Sequence, residues 1–263
     1  MLTRRLLTAM VGVPLAVAGI WVGGWFFAAL VCMVVAFGTW EFYALMNRAG
    51  YVPSREAGMV AAVAFVVLAH VGEHRWIPTL LAGLLLYALS AQLAERRGRA
   101  LPNAAGTALG ALYVGYFAAH LLLLRRLPDG VALTLLVLGA VWVGDSAAYF
   151  VGRRIGRRKL LPEVSPAKTI EGAVGGLGGA LVAALGVGWA AGLPAAFAVV
   201  GGLACGVASQ VGDLWESAIK REARVKDSGN LLPGHGGFLD RFDGLLFAGV
   251  IAYYAFGLWT GAI

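Results

Sequence analysis

Five polar residues recur along one face of an otherwise apolar stretch of the chain. They are Ser209, Asp213, Glu216, Ser217 and Lys220. Residues three and four apart lie on the same face of a helix. A stripe of carboxylates, hydroxyls and a lysine is costly against lipid, so we expect it to face the interior of a helix bundle.

A glycine-rich polar segment, residues 226–244, follows this stripe. Its glycines and Pro233 exclude a regular helix and allow backbone N–H groups to approach a ligand closely. Asp240 and Asp243 lie three residues apart where the next helix should begin, so both would point to one place.

The carboxylates from these two segments, interleaved with lysine and arginine, are typical of a divalent cation that holds a polyphosphate. Mg²⁺ prefers oxygen ligands and takes only one or two protein carboxylates. We expect Mg²⁺, with a second cation left open, on Asp213 and Asp243, then Asp240, with Asp145 in support. The alternative interpretation is an ion-pair network that pins the helix ends.

All four lysines of this arginine-rich chain lie in two polar segments, at positions 159, 168, 220 and 226. A compact ammonium group suits phosphate contacts. Glu41, at the end of an apolar stretch, is either a functional carboxylate or an interfacial one beside Arg48. We interpret His235 as a turn or phosphate-contacting residue rather than as a general base.

The elements that must carry these residues are membrane-spanning helices. The 263-residue chain is 60% hydrophobic and 13% charged, with a mean hydropathy of +0.78. Average soluble domains are about 45–50% apolar and about 25% charged. A soluble globular protein is therefore excluded, and Cys32 and Cys205 lie inside apolar runs and do not indicate a disulfide scaffold.

Nine stretches approach the length of about 20 apolar residues that a membrane span needs. They predict an all-α, polytopic membrane helix bundle with about nine transmembrane helices, forming one integral membrane domain over residues 1–263. Within it we distinguish N-terminal spans (1–100), middle spans with a basic loop (101–171) and C-terminal spans (172–263). The predicted spans are roughly 6–22, 25–46, 57–71, 76–93, 104–124, 131–152, 172–192, 195–219 and 245–262.

Basic residues predict the orientation. With a cytoplasmic N-terminus, 18 of the 21 lysines and arginines fall on the cytoplasmic side, and only Arg75, Arg125 and Arg126 fall outside. The net charge of +7 then indicates membrane topology and contacts with anionic lipid rather than nucleic-acid binding. We expect a multi-pass protein of the cell membrane, with its polar site facing the cytoplasm and its C-terminus outside.

Two stretches resemble the phosphatidate cytidylyltransferases, also called CDP-diacylglycerol synthases. The first matches that family's signature in order and spacing at Ser217, Lys220, Arg221, Lys226, Asp227, Gly229, Pro233, His235, Gly236, Gly237, Asp240, Arg241 and Asp243. The second is similar at Gly144, Asp145, Ala148, Tyr149, Gly152, Gly156, Lys159, Leu160, Ser165, Pro166, Lys168, Thr169, Glu171 and Gly172. The N-terminal third resembles the family only loosely.

The resemblance implies a nucleotidyltransferase of phospholipid biosynthesis. Members of that family use Mg²⁺ and transfer the cytidylyl group of CTP to phosphatidic acid, which gives CDP-diacylglycerol and pyrophosphate. Catalytic roles would fall to Asp213, Lys220, Asp240 and Asp243. The substrates would contact Lys159, Lys168, Ser217, Arg221, Lys226, Asp227, His235, Gly236, Gly237 and Arg241.

That chemistry fits the residue types. A phosphate monoester is largely dianionic at neutral pH, so the nucleophile needs no strong base. The task is instead to bring two anions together, which is positioning and electrostatics. Two alternatives are a CTP-dependent polyprenol or phytol kinase and, in a different class, an ion-coupled transporter, although no internal repeat supports the latter.

Small residues recur at helical spacing in the seventh predicted span, at Gly172, Gly175, Gly176, Gly179 and Ala183. Such a face permits close approach of helices. We expect it to pack inside the bundle or at a homodimer seam.

Overall fold

The computed structural model describes residues 2–95, 99–229, 231 and 236–263, and within these ranges the chain is overwhelmingly helical. The helices are α1 (Leu2–Val22), α2 (Gly24–Arg48), α3 (Arg55–Val71), α4 (Ile77–Glu95), α5 (Ala100–Gly110), α6 (Phe117–Arg126), α7 (Gly130–Ile155), α8 (Ile170–Ala190), α9 (Ala195–Glu222) and α10 (Leu239–Thr260). A 3-10 turn, His74–Trp76, precedes α4, and a π-helical turn, Ala111–Tyr116, joins α5 to α6.

The all-α membrane bundle predicted from the sequence is confirmed. A helical segment lies at each of the nine predicted spans. In the described part of the chain, seven helical segments are long and apolar enough to cross a membrane. The two that fall short are α1, of which Met10–Val22 is apolar, and α3, which has 17 residues. The count of nine spans thus stays a prediction.

The chain divides into two compact units. Unit 1 comprises Met1–Leu123 and Ile219–Arg241, and unit 2 comprises Leu124–Ala218 and Phe242–Ile263. The end of α9 and the first residues of α10 therefore belong to unit 1, while most of both helices belongs to unit 2.

In unit 1, Tyr43 joins three helices. Its ring is fully buried, and its hydroxyl donates to the Thr107 carbonyl oxygen on α5 at 2.8 Å. Gly58 on α3 and Gly110 on α5 lie against this ring so closely that a side-chain carbon at either position would overlap it. The absence of side chains at these glycines lets α2, α3 and α5 approach.

In unit 2, α7 and α8 pack closely through small residues. Gly175 lies against Val151, Gly176 against Ala148, and Gly179 against Ala147. The small-residue face predicted in the seventh span thus packs inside this chain, against α7, and is not left open for a second copy.

Candidate active site

Within unit 1, a lysine and an aspartate of the signature form a buried ion pair. The Lys220 ammonium on α9 lies 2.6 Å from Oδ1 of Asp240 on α10, and their side chains are only 12% and 5% exposed. A buried pair of this kind is stable only when further hydrogen bonds satisfy its remaining polar atoms. The second oxygen of Asp240 provides them.

Asp240 orders the glycine-rich segment through that second oxygen. Oδ2 accepts hydrogen bonds from the Ser228 backbone N–H at 2.9 Å and from the Gly237 N–H at 2.8 Å. The Ser228 hydroxyl, whose single proton is shared with Glu41, lies 2.9 Å from the same oxygen. Gly236, with a φ of +81°, supplies the left-handed backbone conformation just before this contact. His235, Pro233 and Gly234 lie outside the described residues.

Beneath the same segment lies Glu41, which is fully buried on α2. Its Oε2 accepts hydrogen bonds from the Ser228 hydroxyl at 3.0 Å and from the Leu239 N–H at 2.9 Å. Of the two interpretations of Glu41 made from the sequence, an interfacial carboxylate beside Arg48 is wrong, because the side chain is enclosed by the signature segment.

A cavity of about 510 Å³ opens beside this segment. Its lining includes two cationic side chains, Arg48 and Lys226, together with Asp227 and the apolar side chain of Trp40. The guanidinium group of Arg55 lies 5.4 Å from the centre of the Trp40 ring. The remaining lining residues are Ala44, Val225, Ser228, Gly229 and Leu231.

Within unit 2, a second lysine–aspartate pair lies on other elements. The Lys168 ammonium is 2.7 Å from Oδ2 of Asp213 on α9, and the side chains are 26% and 38% exposed. This pair is more open to solvent than the pair of Lys220 and Asp240.

A small hairpin carries Lys168. Strand β1 (Lys159–Leu161) pairs antiparallel with β2 (Ser165–Thr169), which leads directly into α8. Thr169 caps α8 by accepting the Gly172 N–H at 3.1 Å. Glu171 accepts the backbone N–H groups of Arg157 and Arg158, so the first turn of α8 is tied to the segment before β1.

Asp243 lies on α10 where that helix approaches α9 within unit 2. A side-chain carbon on Gly212 would overlap the Asp243 carbonyl oxygen, and Gly244 is similarly close to the backbone of Ser209. The Asp243 carboxylate accepts the Gly244 N–H at 2.7 Å. Asp213 directly follows Gly212, so Asp213 and Asp243 both lie beside this contact between α9 and α10.

The predicted polar stripe of α9 is largely inside the protein. Ser209, Glu216 and Ser217 are buried, and the side chains of Lys220 and Asp213 are 12% and 38% exposed. No group of three or more histidine, cysteine, aspartate or glutamate residues is arranged as a metal cluster in the described ranges.

The other predicted site residues are exposed. Lys159 is exposed on β1, and Arg241 is exposed in the first turn of α10. Arg221 donates to the Val225 carbonyl oxygen at 3.0 Å. Asp145 is exposed on α7.

Sequence reasoning missed two features of the site. It left Ser228 out of the candidate residues, although Ser228 joins the carboxylates of Glu41 and Asp240. It also gave no secondary structure to residues 159–169. The rarity of a carboxylate in an apolar stretch was the available signal for Glu41, but its partner lies 187 residues away in the chain.

Comparison with known proteins matches nearly the whole chain to one family model, that of the cytidylyltransferase family, over residues 3–259. A phosphatidate cytidylyltransferase of Synechocystis is 31% identical over 285 residues, which cover 96% of this chain and 95% of the relative. One of Pseudomonas aeruginosa is 38% identical and covers 99% of this chain and 98% of its own length. One of Bacillus subtilis is 46% identical over 58% of each chain.

Proposed function

Because this chain belongs to the cytidylyltransferase family, we propose that it is a phosphatidate cytidylyltransferase. An oxygen of the phosphatidic acid phosphate attacks the α-phosphorus of CTP, the bond from that phosphorus to the β-phosphate oxygen breaks, and pyrophosphate leaves. The observation that carries this proposal is the family match over residues 3–259, with relatives of that name covering nearly the whole chain.

The two lysine–aspartate pairs support this chemistry. Two anionic substrates repel each other, and charge builds up on the leaving pyrophosphate, so fixed cations stabilise the reaction electrostatically. Lys220 is held by Asp240, and Lys168 is held by Asp213. We assign Lys220 and Lys226 to CTP phosphates, and Lys168 and Arg241 to a phosphate of CTP or lipid.

The cavity beside the glycine-rich segment supports a phosphate-bearing ligand. Its volume of about 510 Å³ lies within the range of small-molecule sites, roughly 300–1,000 Å³. Arg48 and Lys226 supply positive charge, while Trp40 and Leu231 supply apolar surface. We assign this cavity to part of the anionic substrate.

The carboxylates of unit 2 fit Mg²⁺. Its preferred ligands are oxygens, and it usually keeps water and phosphate ligands beside one or two carboxylates. Asp213 and Asp243 would hold the ion, because both Asp240 oxygens are already occupied by Lys220, Ser228 and Gly237, whereas Lys168 pairs with Asp213 through Oδ2. When bound, Mg²⁺ would offset negative charge on the phosphates. Asp240 would instead position Ser228 and Gly237 of the glycine-rich segment.

The proposed reaction also sets the orientation in the cell membrane. The nucleotide is soluble and the lipid phosphate lies at the headgroup level, so the polar segments should open to the cytoplasm. The excess of basic residues on that side supports the same orientation.

Purified protein in detergent tests the proposal directly. With CTP and Mg²⁺, pyrophosphate should be released only when phosphatidic acid is added, and labelled cytidylate should appear in the lipid product. Formation of CDP with a prenol or phytol would instead show a kinase. Absence of any nucleotide turnover, with transport into vesicles, would show a transporter.

A further inference from the structure

The buried carboxylate of Glu41 is not explained by membrane insertion or by the proposed chemistry. It lies on a helix outside the signature and is fully buried. Burying a carboxylate costs several kcal/mol unless its oxygens are well partnered. An apolar side chain would fill the same volume without that cost.

One oxygen of Glu41 binds two residues of the glycine-rich segment that are eleven positions apart in the chain. Oε2 accepts the Ser228 hydroxyl at 3.0 Å and the Leu239 N–H at 2.9 Å. Hydrogen bonds to an ionised carboxylate are stronger than those between neutral groups.

Two glycines of the glycine-rich segment, Gly229 and Gly237, leave room for this carboxylate. A side-chain carbon on Gly229 would overlap Oε1 of Glu41, and one on Gly237 would overlap Oε2 and the Ser228 hydroxyl. One turn before Glu41, the Phe37 ring stacks on Phe238 at a centroid distance of 4.9 Å. Phe37 and Glu41 of α2 thus contact the glycine-rich segment through an apolar and a polar side chain.

Ser228 links Glu41 to the ion pair of Asp240 and Lys220. The Ser228 hydroxyl also lies 2.9 Å from Oδ2 of Asp240, whose other oxygen binds Lys220 at 2.6 Å. A displacement of Glu41 would therefore reach Lys220 through Ser228 and Asp240.

We propose that Glu41 is a positioning residue, which fixes Ser228 and Leu239 and, through Asp240, the ammonium group of Lys220 for cytidylyl transfer. This inference rests on the proposed function. Glu41 touches no substrate in this assignment, and its effect is on turnover rather than on substrate capture.

Three substitutions of Glu41 test separately the charge, the length and the hydrogen-bond acceptors of its side chain. Glu41→Gln keeps an acceptor oxygen but loses the charge, and we expect kcat to fall about 10-fold. Glu41→Asp shortens the side chain, and Glu41→Leu removes both acceptors. A misplacement of about 1 Å can cost about 100-fold, so kcat should fall by about that factor in both. The displaced Lys220 should mainly lose its effect on the charge that develops on the leaving pyrophosphate, while Lys226 still contacts the CTP phosphates. The KM for CTP should therefore change less than about threefold.

Glu222→Gln is the matched control. Glu222 lies in the same unit and accepts the Tyr51 hydroxyl at 2.6 Å, but it is exposed at the end of α9. Its kcat should equal that of the unmodified protein. Ser228→Ala should lower kcat like Glu41→Gln, and the double variant should be no worse than either single one, because both remove the same link.

Hydrogen exchange provides a readout that does not require activity. In Glu41→Gln, amides of residues 236–239 should exchange faster than in the unmodified protein, while those of α7 and α8 stay unchanged. If Glu41→Leu does not accumulate, Glu41→Gln and Ser228→Ala decide the question.

The outcomes separate this inference from the proposed function. An unmodified protein that releases no pyrophosphate with phosphatidic acid overturns the function. An active protein whose Glu41→Gln and Ser228→Ala variants keep full kcat and normal exchange overturns the positioning role alone. A rise in KM for CTP with kcat unchanged also overturns it, because Glu41 would then act in binding.

Discussion

The aspartates of the signature differ in what their carboxylates already bind. Asp240 uses both oxygens within the protein, on Lys220 and on donors of the glycine-rich segment. Asp213 is paired with Lys168 through one oxygen and is 38% exposed. The types and spacing of these residues were evident in the sequence, but this division of roles depends on long-range contacts, such as those of Ser228, which no local pattern contains.

Removing either proposed Mg²⁺ ligand should stop the reaction without unfolding the protein. In Asp213→Asn and Asp243→Asn, we expect turnover to fall about 100-fold or more, since a metal-held charge is worth several kcal/mol. The measurement is the formation of labelled CDP-diacylglycerol over a Mg²⁺ titration, beside the thermal unfolding temperature. Asp129→Asn, at an exposed position before α7, should behave like the unmodified protein. Near-normal activity of Asp243→Asn at limiting Mg²⁺ would refute the metal assignment.

The two lysines should differ in their effect on stability. Lys220→Met leaves the carboxylate of Asp240 buried without its cation, which should cost about 3–5 kcal/mol of unfolding free energy. Lys168→Met breaks a more exposed pair and should cost only about 0–1 kcal/mol. Denaturant or thermal unfolding in detergent would measure both. Equal losses of unfolding free energy would show that burial does not make the Lys220–Asp240 pair the more stabilising one. Activity should fall in both variants.

At the scale of elements, helices were predictable and the hairpin was not. Each predicted span coincides with a helix because a run of about 20 apolar residues has few other stable structures in a membrane. The hairpin of β1 and β2 has strands of only three and five residues with mixed polarity, so no periodic pattern marks it. Its stability comes from contacts such as that between Glu171 and the Arg157 N–H.

Two adjacent glycines of α8 offer a test of the helix packing in unit 2. A side-chain carbon at Gly179 would lie 2.6 Å from the Ala147 Cβ and 2.9 Å from the Val143 carbonyl oxygen, whereas nothing lies within 4 Å of one at Gly178. Gly179→Ala should therefore lower the unfolding temperature. Gly178→Ala should leave it unchanged or raise it slightly, because alanine favours the helix by up to about 1 kcal/mol.

Equal behaviour of the two alanine variants would contradict the α7–α8 contact. Gly179→Leu extends the series, since its larger side chain should weaken folding further or prevent accumulation. Gly178→Leu is its matched control.

At the scale of the whole molecule, the contacts of unit 1 bear on the number of membrane crossings. The Tyr51 hydroxyl donates to Glu222 at 2.6 Å, so the end of α2 and the end of α9 lie on one side of the membrane. If the five candidate spans between them all cross the membrane, this contact predicts that α3 crosses as well. With 17 residues, α3 is about 25 Å long, at the short end of the range for a span.

Cysteine labelling in intact cells should decide between nine crossings and seven. In a background with Cys32 and Cys205 replaced, nine crossings place Asn47→Cys in the cytoplasm, where a membrane-impermeant thiol reagent reaches it only after permeabilisation. Ala191→Cys, between α8 and α9, should be labelled in intact cells and serves as the external control. If α1 and α3 did not cross, Arg48 and Arg55 would lie outside, against the tendency of basic residues to stay in the cytoplasm. Labelling of Asn47→Cys in intact cells would establish that topology and refute the nine-span count.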